Sequence, residues 1–445
     1  MGFFDRIFSK TKEEEDVPNI RLGRYSDSYK EEENYEAWNE AIATFTKGDF
    51  LISLQHFLRY LRDEQEDNVH FSEENGKLRF ELYQGSKRIC GEANALTLKA
   101  EAKIAHTEDF DVHFCRRLLE KNFDLKYSRF ALDEDNDLCI VFDTYALDGS
   151  PYKLYYALKE LAVNADKQDD LLLDEFKTLL DPVENTHIKF IPEKEKEIKY
   201  QFIVEQIRRV LYTVEKKAEN LAAYPGAVSY QLLSLNYKLD YLIKPEGYMM
   251  EALERIHRKY FEKDELTNKT KNQRLIDEFQ KLLARPKTDF FREFYLTTAT
   301  FGITSPENHR RVADFIRMEL PNMDWYYDNA YYEVALAIPN YIIGYCLFNY
   351  AIPKPDRDLF QLYYRITEPS FFQQLGFQEV LYDIERKQFN RRAIRRAIDQ
   401  LRTSNHEKYP HFRPIMASLN FDNLALFSKS YLEMVRELDL SKRVI

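Results

Sequence analysis

"YSRFALDEDNDLCIVFDTYALD", residues 127–148, sets two runs of β-favouring side chains on either side of an acidic bend, Asp133 to Asp137. Aromatic and β-branched residues fit a pleated surface. In the second run Leu138, Ile140 and Phe142 alternate with Cys139, Val141 and Asp143, so a strand here sends the first set to a core and the second outward. The bend itself has two readings, a metal loop or a hairpin turn. Asp133, Asp135 and Asp137 occupy alternate positions as in a calcium-binding EF-hand loop. The sixth position, however, is Leu138 where a sharp turn needs Gly, and the twelfth is Thr144 where a bidentate Glu is needed. The stretch therefore predicts a hairpin whose charged tip also discourages edge-to-edge pairing.

The same two-residue beat continues upstream. Leu78, Phe80 and Leu82 oppose Arg79 and Glu81, with Asn75-Gly76 as a hairpin turn signal. Leu96, Leu98, Ala100, Ala102 and Ile104 oppose Thr97, Lys99, Glu101 and Lys103. A helix in "DVHFCRRLLEKNF" separates these strands from the opening hairpin. A second helix begins at "SPYKLYYALKEL", with Ser150 as N-cap and Pro151 at its first position. The predicted order is α-β-β-β-α-β-β-α, an α+β domain over residues 67–181.

Residues 35–66 predict a helical hairpin broken at Lys47-Gly48-Asp49, with Trp38, Ile42 and Phe45 on one helix and Leu54, Phe57, Leu58 and Leu61 on the next. Its spacing resembles one tetratricopeptide unit, although Ser53 and Tyr60 stand where small Ala residues usually let the helices approach; no second copy follows, so the unit must pack on its neighbour. The alternative is that the helix from Phe50 to Glu64 opens the α+β domain. Residues 11–34 carry dense charge without hydrophobic period, and residues 1–34 as a whole predict a flexible lead-in with a short amphipathic stretch at its start. Residues 182–199, with two prolines and a charge run, predict a linker, and 200–445 an all-α region without a fixed repeat.

With 44% hydrophobic and 31% charged residues, the 445-residue chain has a globular balance, and 12 Gly against 31 Tyr and 32 Phe favours packed helices over phosphate-cradling loops. A formal charge of −11 argues against a general nucleic-acid or anionic-membrane binder. Cys90, Cys115, Cys139 and Cys346 form neither CxxC pairs nor a disulfide framework, which fits a reducing cytoplasm. The start, "MGFFDRIFSK", lacks the basic and apolar regions of a signal peptide, and Arg6 breaks the myristoylation pattern. Phe3, Phe4, Ile7 and Phe8 would share one helix face, leaving docking on the body, disorder, or peripheral contact with a membrane or partner as readings. Residues 334–353 are free of charge over a bilayer-spanning length, yet Pro339, Asn340 and Asn349 predict a buried core helix instead.

No sequence pattern announces an enzyme: GxSxG, GxGxxG and GxxxxGK[ST] are absent. His406-Glu407 with His411 fails as a zinc-protease motif, because the second His comes one residue late and Pro410 intervenes. The lone histidines have no ligand-spaced partners, so neither metal nor cofactor is expected. One basic helix, "ERKQFNRRAIRRAIDQLR", carries Arg391, Arg392, Arg395, Arg396 and Arg402, suited to an acidic partner protein or, alternatively, to nucleic acid.

The stretch from Lys126 to Leu172, with its strand ending in "F-x-L-D", acidic turn, aliphatic strand, short loop and long amphipathic helix, resembles the type III secretion chaperone fold shared by the Tir-chaperone (CesT) and YbjN families. The resemblance covers residues about 68–181, roughly a quarter of the chain. It implies a non-enzymatic protein that holds a client or effector, often as a dimer, with stress and regulatory roles in the YbjN branch. The chain departs from a stand-alone secretion chaperone by its helical lead-in and its long C-terminal region. On the residues alone, the apolar positions facing away from the core need a cover, supplied either by the rest of the chain or a second copy, or by a client segment added as a strand. The candidate partner-binding residues are thus Tyr83, Cys139, Val141 and Tyr145 on the sheet and Arg391, Arg392, Arg395 and Arg396 on the basic helix.

Overall fold

The computed structural model describes residue 18 and residues 20–106, 112–175, 188–216 and 224–442. Two helices open the fold, α1 (Glu32–Lys47) and α2 (Phe50–Leu61), turned by Gly48 in the left-handed region at φ 87°. Ser53 suits its position after all: its hydroxyl donates to the Ala41 carbonyl at 2.7 Å, which holds the two helices together.

The predicted strands form one antiparallel sheet of six, in the order β1-β2-β3-β4-β6-β5: β1 (Val69–Glu74), β2 (Lys77–Gln84), β3 (Lys87–Ala93), β4 (Thr97–His106), β5 (Arg129–Leu132) and β6 (Asp137–Tyr145). The helix α3 (Val112–Asp124) lies between β4 and β5 in sequence, and α4 (Pro151–Glu175) follows β6. The sheet has one strand more before α3 than the predicted order, because Val69–Glu74 pairs with β2 across the Asn75-Gly76 turn, both of whose residues take positive φ. The α+β reading stands. Leu78, Phe80, Leu82, Ala100, Ala102, Ile104, Leu138, Ile140 and Phe142 form one buried face against α2 and α4, whose Leu54, Phe57, Leu58, Leu154, Leu158 and Leu161 complete the core. Burying one face of a sheet under amphipathic helices is what the two-residue period demands.

The remainder is helical apart from short two-stranded ladders, as the all-α reading of the C-terminal region expects. Its helices are α5 (Glu193–Lys216), α6 (Pro225–Ile243), α7 (Gly247–Phe261), α8 (Asn268–Ala284), α9 (Lys287–Arg292), α10 (His309–Glu319), α11 (Asn322–Asp328), α12 (Tyr332–Asn349), α13 (Lys354–Thr367), α14 (Pro369–Gln374), α15 (Arg391–Asn405) and α16 (Leu424–Arg436). The charge-free stretch forms α12, at the centre of this unit against α6. Half-buried Asn340 and Asn349 satisfy their side-chain N–H groups by donating to the carbonyls four residues back, at 2.8 and 3.0 Å. A Cβ on Gly344 would lie 2.5 Å from Cβ of Tyr237, so α6 and α12 meet closely there because of the glycine. No described helix is long and apolar enough to cross a membrane.

Two boundaries differ from expectation. The segment assigned to a linker is structured from residue 188 on, its residues 182–187 lying outside the described residues: Ile188–Phe190 pairs with Tyr295–Thr297, and α5 starts at Glu193. Its acidic first turn favours the helix N-terminus, and Lys199 is buried beside Glu195 at 3.0 Å, so these charges build a helix rather than solvate a linker. Residues 20–31, read as a flexible lead-in, form a strap joining the two units. The Gly23 N–H donates to the Tyr241 carbonyl at 2.8 Å, while the Lys30 ammonium donates to the Leu61 carbonyl at 3.1 Å. Buried Asp27 accepts from Tyr155 Oη at 3.0 Å and from the Gly302 N–H at 2.9 Å. Segment composition showed the charge but not its buried partners. The aromatic start, Phe3, Phe4, Ile7 and Phe8, lies outside the described residues.

A second link runs the other way. The Gln84 side chain accepts from the N–H groups of Thr300 and Phe301 and donates to the Phe301 carbonyl, while Thr298 bridges to Gly85. Phe301 thereby sits in the sheet core, edge-on to Tyr155 at 5.7 Å.

Candidate partner-binding surfaces

The acidic bend is a hairpin turn. Asn136 takes φ 63°, and Asp133 Oδ1 accepts from the N–H groups of Asp135 and Asp137 at 3.0 and 2.8 Å. The Lys103 ammonium bridges Asp133 and Asp137 at 3.0 and 2.6 Å, and His106 Nδ1 lies 2.8 Å from Asp137. Burial pushes the Asp133 carboxyl up, but the backbone N–H groups and Lys103 outweigh it and hold the group below its ordinary range. These carboxylates are thus spent on the turn and the lysine. Among the described residues no three His, Cys, Asp or Glu side chains gather as a metal site.

Cys139 and Val141 share the outward face with Tyr145, as predicted, but they are only 2% and 7% exposed and need no external cover. Register explains it. Cys139 lies between Lys103 on β4 and Ala131 on β5, and Val141 between Glu101 and Arg129. Long charged side chains lay their stems over such apolar neighbours while their heads stay wet. Burial raises the Cys139 thiol to about 12, with Asp133 adding to it, so the sulfur stays protonated. The partner-binding assignment of Cys139 and Val141 is therefore corrected: their own sheet encloses them.

The rest of this face is polar. An open depression of about 660 Å³ is lined by His70, Arg79, Glu81, Cys90, Glu92 and Lys99. Charges on this face answer one another, Lys77 with Glu92 at 3.1 Å and Arg88 with Glu81 at 3.6 Å across strands, and Lys99 with Glu101 at 2.6 Å along β4. Tyr83 joins them, donating to Glu81 at 3.0 Å and meeting His70 edge-on. Cross-strand pairs of this kind make a wetted surface rather than an apolar seat.

Tyr145 stands apart at 69% exposure. The Ala146 N–H donates to the Leu96 carbonyl at 2.8 Å, so the exposed side chains of Leu96, Tyr145 and Leu147 gather where the β3–β4 turn meets the end of β6. Tyr152, also exposed, follows at the start of α4, edge-on to Trp38. Sequence alternation pointed to Tyr145 but not to its companions, since a turn residue such as Leu96 has no assigned face until the strands are paired.

A second apolar surface was missed altogether. On α3, Phe114 and Leu118 face the sheet core, while Val112, Cys115, Leu119 and Phe123 lie along the opposite side; Val112 is 85%, Leu119 70% and Phe123 91% exposed. "VHFCRRLLEKNF" holds more apolar residues than one helix face requires, and that excess was the available signal.

On the basic helix α15 the four arginines differ. Arg396 pairs with Glu379, and Arg391 lies over the Phe421 ring at 4.9 Å. Arg392 and Arg395 are exposed, with no ion pair among the described residues, next to the charged turn bearing Arg386 and Lys387. His406 and His411 lie in the loop after α15, as their spacing predicted.

No protein-family model matches the chain, and no curated protein matches it either.

Proposed function

We propose that the chain is a non-enzymatic, cytoplasmic protein-binding adaptor of chaperone-like character, related in architecture to the CesT and YbjN group. Its client would be held at the rim of Leu96, Tyr145, Leu147 and Tyr152 rather than on the sheet face. The observation that carries this reading is the gathering of large apolar side chains in solvent at one end of a sheet whose remaining outer face is charged and self-paired. Contiguous exposed apolar surface marks an interaction site, and aromatic anchors dominate such contacts. Affinity purification from the native host with mass spectrometry, comparing the natural chain with Leu96→Asp/Tyr145→Asp, tests it. Loss of a stoichiometric partner with the far-ultraviolet circular dichroism unchanged supports the rim; an identical partner set overturns it.

A second reading, a nucleic-acid-associated regulator acting through α15, rests on exposed Arg392 and Arg395. It requires that replacing Arg391, Arg392, Arg395 and Arg396 by Ala abolish a salt-sensitive association with nucleic acid.

A further inference from the structure

We infer that the aromatic end of the helical unit, formed by Tyr224, Trp325, Tyr326 and Tyr331, is a docking surface for an arginine-bearing segment of a partner protein. The inference does not rest on the client rim, which lies on the sheet unit, and either can fail without the other. The rings come from three places in the chain: Tyr224 precedes α6, Trp325 and Tyr326 stand on α11, and Tyr331 precedes α12. Trp325 meets Tyr224 at 5.0 Å and Tyr326 at 5.1 Å, and Tyr331 closes the group at 5.9 Å from Tyr224 and 6.0 Å from Trp325. Ala330, in the left-handed region at φ 62°, turns the chain so that the Tyr331 N–H donates to the Tyr326 carbonyl at 2.8 Å and the Tyr331 ring folds back onto the cluster. Tyr224 and Trp325 stay exposed, Trp325 at 45%.

Charge around the rings decides the partner. Residues 319–333 hold Glu319, Asp324, Asp328 and Glu333 and neither Lys nor Arg. Asp324 and Asp328 flank Trp325 on α11; Asp324 pairs with Lys429 at 2.6 Å, whereas exposed Asp328 has no ion pair among the described residues. Elsewhere the chain sets its own cations over its rings, Arg24 over Phe348 at 4.2 Å, Arg285 over Tyr248 at 4.3 Å and Lys30 over Tyr60 at 5.3 Å, but among the described residues none lies over these four. An electron-rich ring face beside an uncompensated carboxylate attracts a cation and repels a phosphate. Arginine suits it better than lysine, because a planar guanidinium stacks on a ring while its donors reach a carboxylate. The rings pack against one another, so their free faces make an open patch rather than a box around a small ammonium ion. Such a patch fits a side chain carried across it by a peptide.

Isothermal titration calorimetry of the full chain at low ionic strength tests this, with an octapeptide alternating glycine and arginine and with the same octapeptide carrying citrulline, which keeps the planar shape and lacks the charge. The arginine peptide is expected to bind and the citrulline peptide not to. Trp325→Leu keeps an apolar side chain and the net charge but removes the ring, so any general attraction of an acidic chain for a basic peptide survives it. It is expected to weaken binding about tenfold, and Asp328→Asn about threefold, each with unchanged circular dichroism. No binding of the arginine peptide, equal binding of the citrulline peptide, or an affinity unchanged by either substitution overturns the proposal. So does tighter binding of choline chloride or of phosphatidylcholine vesicles than of the arginine peptide, since the rings would then serve a small or lipid-borne ammonium group.

Discussion

The sheet unit and the helical unit keep their charges in opposite places. On the sheet most lysines, arginines and carboxylates stand outside in contact with water, several of them paired with a neighbour, although Lys87 of β3 is buried. In the helical unit several are inside. Arg24 of the strap reaches Asp240 on α6 at 2.6 Å and Glu254 on α7 at 3.0 Å, with its guanidinium over Phe348, and Lys167 of α4 meets the same Glu254 at 2.7 Å. Lys238 pairs with Glu368, and His309 with Asp356, in the interior. A wet pair contributes little and tolerates loss, whereas a dry pair binds its partners to each other because either one alone is an uncompensated charge. The first kind keeps a surface soluble; the second fixes how elements, and here the two units, sit together.

Breaking a dry pair should therefore have the largest effect. Arg24→Ala leaves Asp240 without its cation and Glu254 with Lys167 and the more exposed Arg258, and is expected to lower the unfolding free energy by about 3–5 kcal/mol in urea denaturation. The pH response is intermediate. Burial alone would lower the His309 pKa, but its hydrogen bond to Asp356 at 2.9 Å and that carboxylate's charge raise it above the ordinary 6.5. The folded state then keeps a proton that the unfolded chain releases, so this stability is present below about pH 6.5 and lost as pH climbs through the higher folded value. The slope cannot exceed about 1.4 kcal/mol per pH unit for one proton. Urea midpoints measured across neutral and alkaline pH should show this decline in the natural chain and not in His309→Gln. The smallest change belongs to the wet face: Lys99→Ala, which removes the pair with Glu101, should shift stability by no more than about 1 kcal/mol. Equal losses from Arg24→Ala and Lys99→Ala would erase the distinction between the units.

The same contrast governs what could be read beforehand. Where one face is dry and the other wet, side chains alternate, and the strands around Leu78, Ala100 and Ile140 were legible residue by residue. The Asn75-Gly76 turn was legible from its backbone freedom, and the cap at Ser150 from its hydroxyl, which accepts from the Lys153 N–H at 3.3 Å. The core role of α12 was legible from Pro339 and its asparagines, although a helix buried on all sides shows no period. The strap was not legible, because Arg24 and Asp240 are 216 positions apart and nothing local distinguishes a buried charge from a wet one. At the candidate sites, the outward direction of Val141 followed from alternation, but its cover depended on the register that sets Glu101 and Arg129 beside it. The α3 stripe needed knowledge of which of two apolar faces the core would take.

Phe301 carries a consequence for how the molecule is made. The sheet domain's own segments all emerge from the ribosome by the end of α4, yet the ring that fills its interior arrives only after α5 to α9 have been synthesised. Until then the place this ring takes, between Tyr155 and the side-chain amide of Gln84, stays unfilled, so the two units mature as one cooperative body rather than in turn.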